Sequence, residues 1–200
     1  MKYPSFFDHV PTITVHDGLA ELLGASDRGL ITYRYIDAVR LAGHSCPTVA
    51  GAYLMTRRAL ALLYPDRVPE RGEVRVHFAS AQDEGVTGVI GSVIGLITGA
   101  AGPGGFKGLG GKFRRQDLMA FACNVTGEVH FERTDNGKGV TLAARMNLVE
   151  ANPHTGRLLR KIISGLATPE ERSEFAVLWQ ERVKCILIDH ADDEKLIVEI

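Results

Sequence analysis

The spacing of apolar positions predicts three helices in the first third of the chain, after an irregular N-terminal segment. The run from Pro47 to Tyr64 is rich in helix formers and carries apolar residues around much of its circumference. It is therefore predicted to be a central, largely buried helix. Two shorter helices are expected before it, at 19–23 with Asp17 as N-cap and at 36–42 with Gly43 as the terminating glycine. Residues 1–15 are predicted to be extended and irregular.

The middle of the chain changes to the alternation that is typical of β-strands. In Glu73–Phe78 the apolar residues alternate with polar ones, as expected for a half-exposed strand. An Asn-Gly pair at 136–137 is a strong signal for a hairpin turn. Four further strands are predicted, at 118–123, 128–133, 140–147 and 195–200, of which the last would lie at an edge of the sheet. Earlier in the chain, the segment 30–35 is predicted either to be a strand or to lead into helix 36–42.

An uncharged apolar run separates the first predicted strand from the others. Val86–Thr98 is longer than a usual strand and shorter than the about 20 apolar residues of a membrane-spanning helix, so a buried helix is predicted. The following Gly99–Gly111 segment fits neither the phosphate-binding Gly-x4-Gly-Lys-Ser/Thr pattern nor Gly-x-Gly-x-x-Gly. A nucleotide-binding fold and a membrane span are therefore not expected.

Two helices are predicted near the end of the chain. The first runs from about 155 to 166 with Thr155 as its cap, and the second, at 169–187, opens with a capping box from Thr168 to Glu171. An apolar stripe on the second helix is either core or a dimer surface; it comprises Phe175, Leu178, Trp179 and Val183. The element order predicts an α+β fold with a mixed five-stranded sheet flanked by helices.

Length and composition predict one domain. It would consist of an N-terminal segment 1–30, a core 31–150 and a C-terminal helical part 151–200. The 23 basic and 24 acidic residues are interspersed and leave a net charge of −1, so no nucleic-acid partner is expected. The N-terminus lacks the apolar core of a signal peptide, and three widely spaced cysteines predict a reducing, cytoplasmic setting without a disulfide framework.

The stretch with the clearest chemical potential is Gly43-His44-Ser45-Cys46-Pro47. Proline is favoured at the first position of a helix, so Cys46 is predicted at the N-cap or in the first turn of the central helix. The positive end of a helix dipole lowers the pKa of a thiol and favours the thiolate, the form that binds metals and attacks electrophiles. The alternative interpretation is a buried cysteine beside a helix-capping loop.

At this stretch the sequence resembles the formylmethanofuran dehydrogenase E-subunit family. The family carries His-Gly-His-x-Cys-Pro-Gly before a helix that begins with small residues, and this chain has Ala42-Gly43-His44-Ser45-Cys46-Pro47-Thr48, then Gly51 and Tyr53. Asp83-Glu84-Gly85 and the segment from Ile97 to Lys107 are similar to an acidic loop and a Gly/Lys-rich loop of the family. The resemblance covers roughly residues 35–150.

The resemblance implies a thioredoxin-like α+β core, a zinc site, homodimers and an association with anaerobic one-carbon redox enzymes that use molybdenum or tungsten. Ala42 and Thr48 depart from the family motif, where a histidine and a glycine stand. The cysteine-rich C-terminal zinc finger of many members is absent from the sequence. A stand-alone protein of the bacterial type is therefore expected rather than a component of the dehydrogenase complex.

The first functional hypothesis is a divalent metal site, with zinc as the expected ion. His44 and Cys46 offer nitrogen and sulfur ligands, but zinc in proteins takes three or four ligands. His16 is the first candidate to replace the missing motif histidine. Asp83 is a further candidate ligand, and Glu84 a candidate catalytic base or hydrogen-bond partner of a ligand.

Two other hypotheses remain. In one, Cys46 is the nucleophile of a metal-free enzyme with His44 as its base. In the other, the protein is an accessory or binding module without catalysis, with a redox enzyme as partner. For an enzyme, the Gly99–Gly111 loop is predicted to cover the site, with Lys107 holding an anionic group of a small-molecule substrate.

Overall fold

The computed structural model describes residues 3–200. Its helices are α1 (Gly18–Leu22), α2 (Tyr35–Ala42), α3 (Pro47–Leu63), α4 (Thr87–Thr98), α5 (Pro153–Ile163) and α6 (Pro169–Lys184). Its strands are β1 (Ile13–His16), β2 (Leu30–Tyr33), β3 (Val74–Phe78), β4 (Met119–Ala120), β5 (Val129–Arg133), β6 (Gly139–Ala144) and β7 (Ile197–Glu199). Short 3-10 turns lie at Ser5–His9, Asp27–Gly29 and Met146–Leu148, and a π-helical turn at Cys185–Asp189 follows α6.

A five-stranded mixed sheet forms the centre of the molecule, in the order β4-β3-β5-β6-β7. Strands β3 and β4 are parallel and the other neighbours are antiparallel. Val74, Val76 and Phe78 of β3 are buried, so the alternation in the sequence correctly predicts the face that packs inward. The α+β class and the mixed five-stranded sheet are confirmed. The β1–β2 hairpin forms a separate two-stranded sheet.

Helix α3 packs in the core along almost its whole length, as its apolar surface predicts. Leu54, Met55 and Leu63 are at most 1% exposed, and the same hydrophobic cluster includes Phe131 of β5 and Ile94 of α4. Small residues near the start of α3 allow close packing: a Cβ on Gly51 would lie 3.0 Å from the sulfur of Met146. The cluster reaches from Phe7 to Ile197 and so joins both ends of the described chain.

The apolar run after β3 is a buried helix, as predicted. Val93, Ile94 and Ile97 of α4 are fully buried, and Gly99, with a φ of 74°, ends the helix in the left-handed conformation that glycine adopts without strain. Among residues 3–200 no helix is both long and apolar enough to cross a membrane.

The strand predicted at 118–123 is the least accurate of the sheet predictions. Only Met119 and Ala120 pair with β3, because the backbone takes positive φ values at Asp117 and Ala122 on either side. Those values break the extended conformation that a longer strand needs. The hairpin between β5 and β6 turns at Asn136-Gly137 as predicted, with Gly137 at a φ of 72°.

Two helix caps test the sequence predictions at the C-terminal end. The capping box of α6 is confirmed, since Thr168 Oγ1 accepts from Glu171 N–H and the Glu171 carboxylate accepts from Thr168 N–H. The predicted cap of α5 is wrong: Asn152 caps the helix by accepting the N–H of His154, and Thr155 lies inside the helix. An Asn-Pro pair provides both the cap and the preferred first residue, and this signal outweighs a threonine two positions later.

The N-terminal segment contains more structure than predicted. Residues 5–9 form a 3-10 turn, and Ile13–His16 is a strand paired with β2. Ile13 and Val15 are buried while Thr14 is exposed, which is an alternation within the stretch that was predicted to be irregular. Met1 and Lys2, in the same predicted segment, lie outside the described residues.

Candidate functional site

The loop that carries His44 and Cys46 is shaped by its two ends. Gly43 ends α2 with a φ of 76°, and its N–H donates to the carbonyl of Val39 at 2.8 Å. Pro47 then occupies the first turn of α3. A left-handed glycine followed closely by a helix-starting proline turns the chain sharply and leaves His44 on the surface.

Cys46 is the N-cap of α3, as predicted. Its backbone is extended, with φ −150° and ψ 169°, and its Sγ accepts the N–H of Val49 at 3.5 Å. Sulfur therefore takes the place that a serine or aspartate oxygen usually has at a helix start. The side chain is half-buried against the hydrophobic core, so the thiol occupies a defined position at the positive end of the helix.

Ser45 fastens the loop to the C-terminal helix α6. Its hydroxyl donates to Gln180 Oε1 at 3.0 Å and accepts from the Tyr35 hydroxyl at 2.9 Å. Its carbonyl accepts from Trp179 Nε1 at 3.0 Å and from Gln180 Nε2 at 3.2 Å. Burial raises the pKa of Tyr35, which keeps this hydroxyl protonated as a donor. The residues on both sides of Ser45 are thereby held in fixed positions.

The imidazole of His44 is exposed and has one ring nitrogen engaged. Its Nδ1 lies 2.9 Å from the carbonyl oxygen of Ala42, and a carbonyl only accepts, so this bond assigns the proton to Nδ1. In the neutral ring, Nε2 then carries the free lone pair. A ligating histidine usually has this arrangement, in which its other N–H donates to a carbonyl or carboxylate.

His16, predicted as a third ligand, is held elsewhere by two carboxylates. Its Nδ1 lies 2.6 Å from Glu70 Oε2 and its Nε2 lies 3.1 Å from Glu21 Oε2. The hydrogen bond with Glu70 is the largest influence on the pKa of His16, which is raised above 6.5 although burial opposes the shift. Both ring nitrogens are thus engaged at the junction of β1 and α1.

Asp83 and Glu84 lie in the turn before α4. The Glu84 carboxylate accepts the N–H of Ala81 at 3.3 Å and so stabilises the turn, while Asp83 is exposed. Val86, which follows this turn, lines one cavity together with Thr48 of α3. The acidic turn and the start of α3 therefore lie on the same side of the molecule.

Lys107 is exposed in the glycine-rich loop, which starts at the opposite end of α4 from Val86. Twelve helical residues span about 18 Å. The loop is closed by Arg115, whose N–H donates to the carbonyl of Phe106 at 2.8 Å and whose guanidinium donates to Asp17 at 2.8 Å. A role for Lys107 in holding an anionic group stays a prediction.

Within residues 3–200 there is no group of three or more His, Cys, Asp or Glu side chains arranged to hold a metal ion. The donor types of His44 and Cys46 suit zinc, which takes four protein ligands, or three and a water. In the described part of the chain these two residues are not joined by a third side chain of these types.

Comparison with known proteins agrees with the motif. The sequence model of the family described as "FmdE, Molybdenum formylmethanofuran dehydrogenase operon" matches residues 41–196, which is more than half of the chain. This chain belongs to the FmdE family. No match was found among curated proteins.

The FmdE match extends beyond the resemblance noted in the sequence. That resemblance ends near residue 150, whereas the match includes α5 and α6 and stops within the last predicted strand. The extension agrees with the packing at Ser45, since Trp179 and Gln180 of α6 hold the motif loop. The C-terminal helices are part of the FmdE unit.

The sequence did not reveal the residues that position the motif loop. Its patterns place Tyr35 in a strand-like segment, and they indicate Trp179 only as a member of an apolar stripe. The indole N–H of Trp179 needs a partner when it is partly buried, and that requirement is the one local signal that could have suggested a polar contact. Its partner is 134 residues away, so no spacing rule could identify it.

Proposed function

We propose that this FmdE protein binds a divalent metal, with zinc as the expected ion, at His44 and Cys46 and works as an accessory to formylmethanofuran dehydrogenase-related one-carbon metabolism. Family membership supports the metabolic setting. The observation that carries the metal proposal is the pair of positioned donors: Cys46 Sγ bonded to a helix N–H, and His44 with its Nδ1 proton on a carbonyl.

The same contacts favour metal binding over the metal-free cysteine nucleophile. A nucleophile and its base need a hydrogen bond between them. Cys46 Sγ accepts from Val49, His44 Nδ1 is bonded to Ala42, and the side-chain contacts of residues 3–200 include no hydrogen bond between the thiol and the imidazole. The site thus supports two separate ligands better than a catalytic dyad.

The remaining metal ligands come from outside a single folded chain in this proposal. Water, a substrate or a second copy of the protein would fill these positions. Bound zinc with open positions supplies Lewis-acid chemistry. Asp83 and Glu84, in the turn before Val86, which lines the same cavity as Thr48, are the candidates in this proposal to act as a base or to hydrogen-bond a ligand.

We expect Cys46→Ala to lose most of its bound metal while remaining folded, since the substitution removes the sulfur ligand and only one weak cap contact from a half-buried position at the start of α3. His44→Ala should also lose metal. Elemental analysis of protein purified without a metal-binding tag or chelator measures both effects. In a cobalt-loaded sample, the sulfur-to-metal charge-transfer absorption should disappear in Cys46→Ala.

Cys123→Ala and Cys185→Ala are the matched controls and should retain metal. The Cys123 thiol points to the carbonyl of Phe121 at 3.7 Å, and burial raises the pKa of Cys185, which disfavours its thiolate. If Cys46→Ala retained one metal ion per chain, the proposal would be wrong. Loss from either control would locate the site at another cysteine.

We further propose that the protein is a homodimer with a thioredoxin-like core. The α5–α6 hairpin supports a dimer, because Ile163, Leu166 and Val177 are 78%, 75% and 57% exposed. Light scattering should give twice the chain mass of 21.8 kDa for the wild type, and Ile163→Glu should give the mass of a monomer. A monomeric wild type would contradict the dimer.

The mixed sheet and the position of Cys46 at the start of a helix support the proposed thioredoxin-like core. Superposition of this structure on a thioredoxin tests the likeness.

A further inference from the structure

A cavity of about 220 Å³ lies beside the first two turns of α3. It is formed where α3, the start of α4 and the ends of β5 and β6 meet, and it begins two residues beyond Cys46. Its lining residues are Thr48, Gly51, Ala52, Met55, Val86, Ile90, Glu128, Ala144 and Met146. Val86 is 52% exposed, so this side of the cavity reaches the surface.

The lining is apolar except for two groups. The Glu128 carboxylate accepts the N–H of Ala144 at 2.8 Å through Oε2, which fixes the side chain at the cavity wall. Within residues 3–200, its second oxygen has no hydrogen-bond partner and no Lys, Arg or His forms an ion pair with it. The Thr48 hydroxyl also has no side-chain hydrogen bond in this part of the chain.

A half-buried carboxylate without a counter-charge in an apolar cavity favours a positively charged or hydrogen-bond-donating ligand. It disfavours an anion, because like charges repel. The volume lies below the roughly 300–1,000 Å³ of pockets for drug-sized molecules, so the ligand must be small. The thioethers of Met55 and Met146 are flexible and adapt to an aliphatic body.

We propose that this cavity binds a compact aliphatic amine in its ammonium form. The ammonium group donates to the free Glu128 oxygen and to the Thr48 hydroxyl, and the aliphatic chain contacts Met55, Ile90 and Met146. This site uses neither His44 nor Cys46, so it does not rest on the metal proposal. It would place an amine beside the start of α3.

Methionine methyl signals provide a direct measurement. The chain has four methionines, of which Met55 and Met146 line the cavity and Met119 does not. In metal-free protein with labelled methionine methyls, n-butylammonium should shift the Met55 and Met146 signals and leave Met119 unchanged. n-Butanol should bind about tenfold more weakly because it lacks the charge, and butyrate should cause no shift.

Two variants test separately the negative charge of Glu128 and the volume of the cavity. Glu128→Gln keeps an oxygen for the N–H of Ala144 but removes the charge, and should weaken butylammonium binding about tenfold. Ala144→Leu fills the cavity without changing Glu128 and should abolish the shifts. Both variants should keep wild-type methyl spectra for Met119, which shows that they fold.

Cys46→Ala should bind butylammonium like the wild type, which keeps this outcome distinct from the metal proposal. Equal binding of butanol and butylammonium, or undiminished binding by Glu128→Gln, would overturn the recognition of an ammonium group. Methionine signals that do not respond to any of the three probes would overturn the site itself.

Discussion

At the scale of single residues, His16 shows how strongly a side chain's role depends on partners that are distant in sequence. The sequence suggests it as a metal ligand because it is a histidine beside a glycine turn. In the structure it bridges Glu21, five residues away, and Glu70, 54 residues away. Local patterns can predict the helix start at Cys46, but they contain no information about Glu70.

The bridge should make the stability of the protein depend on pH. The folded pKa of His16 is raised above 6.5, so its stabilisation is complete below the unfolded pKa and is lost as the pH rises through the folded pKa. We therefore expect the difference in free energy of unfolding between the wild type and His16→Gln to shrink as the pH rises from below 6.5 through the folded pKa.

Urea denaturation at a series of pH values measures this difference. His154→Gln is the matched control, because His154 is exposed on α5 and bonds to no carboxylate. The control should follow the wild type over the whole range. A His16→Gln difference that stays constant with pH would show that the imidazole is not charged between Glu21 and Glu70.

At the scale of secondary-structure elements, sequence signals performed best where the physics is local. The central helix, the buried helix after β3, the Asn-Gly hairpin and the capping box of α6 were all predicted from neighbouring residues and are confirmed. The short β4 was not, because its ends are set by positive φ values at Asp117 and Ala122, two residues that usually avoid them.

The cap of α5, which the sequence wrongly assigned to Thr155, allows a test by mutation. Asn152 accepts the N–H of His154 at 2.9 Å, so Asn152→Ala should destabilise the protein by about 1 kcal/mol. The Thr155 hydroxyl is buried and has no hydrogen-bond partner among residues 3–200. Thr155→Val removes that unsatisfied group at nearly constant shape and should be neutral or stabilising.

Thermal and urea unfolding of the two variants would measure these effects. If Thr155 were the cap, as the sequence suggested, the order would be reversed and Thr155→Val would be the more destabilised variant. Ser173→Ala on the exposed face of α6 is a suitable control, since its hydroxyl donates only to the carbonyl of Pro169 within its own helix.

At the scale of the whole molecule, the part that the sequence could not predict is how the segments join. The order β4-β3-β5-β6-β7 places the last strand beside β6, and α6 returns to hold Ser45 near the start of α3. The second of these contacts connects residues 134 positions apart, and the pairing of β6 with β7 joins Ala144 to Ile197 across two intervening helices. The order of the predicted elements supplied the expected class of fold, and the residues of the motif, with their likeness to a known family, supplied the candidate site, but neither predicted these long-range contacts.

One such joint is an ion-pair network around Asp17. Its two carboxylate oxygens accept from Arg71 and Arg115, both at 2.8 Å, and its side chain is only 5% exposed. The same carboxylate caps α1 by accepting the N–H of Leu19 and Ala20. Asp17 therefore ties the N-terminal hairpin to the segment that leads into β3 and to the end of the glycine-rich loop.

Removing this charge should cost much more than removing an exposed one. Asp17→Asn leaves two partly buried guanidinium groups without their partner and should destabilise the protein by about 3 kcal/mol. Asp117→Asn is the matched control: it breaks the exposed ion pair with Arg114 on the same loop, and asparagine tolerates the positive φ at this position. The control should cost less than about 1 kcal/mol.

Acid should reduce the effect of Asp17→Asn. Burial by itself would raise the pKa of Asp17, but hydrogen bonds from Arg71 and Ala20 and the charge of Arg115 hold it below 3.8. The carboxylate thus stabilises the protein fully above the unfolded pKa, and this contribution is lost as the pH falls through the folded pKa. Urea denaturation of both variants at neutral and acidic pH measures the change. Equal costs for Asp17→Asn and Asp117→Asn at neutral pH would show that the network does not join the segments.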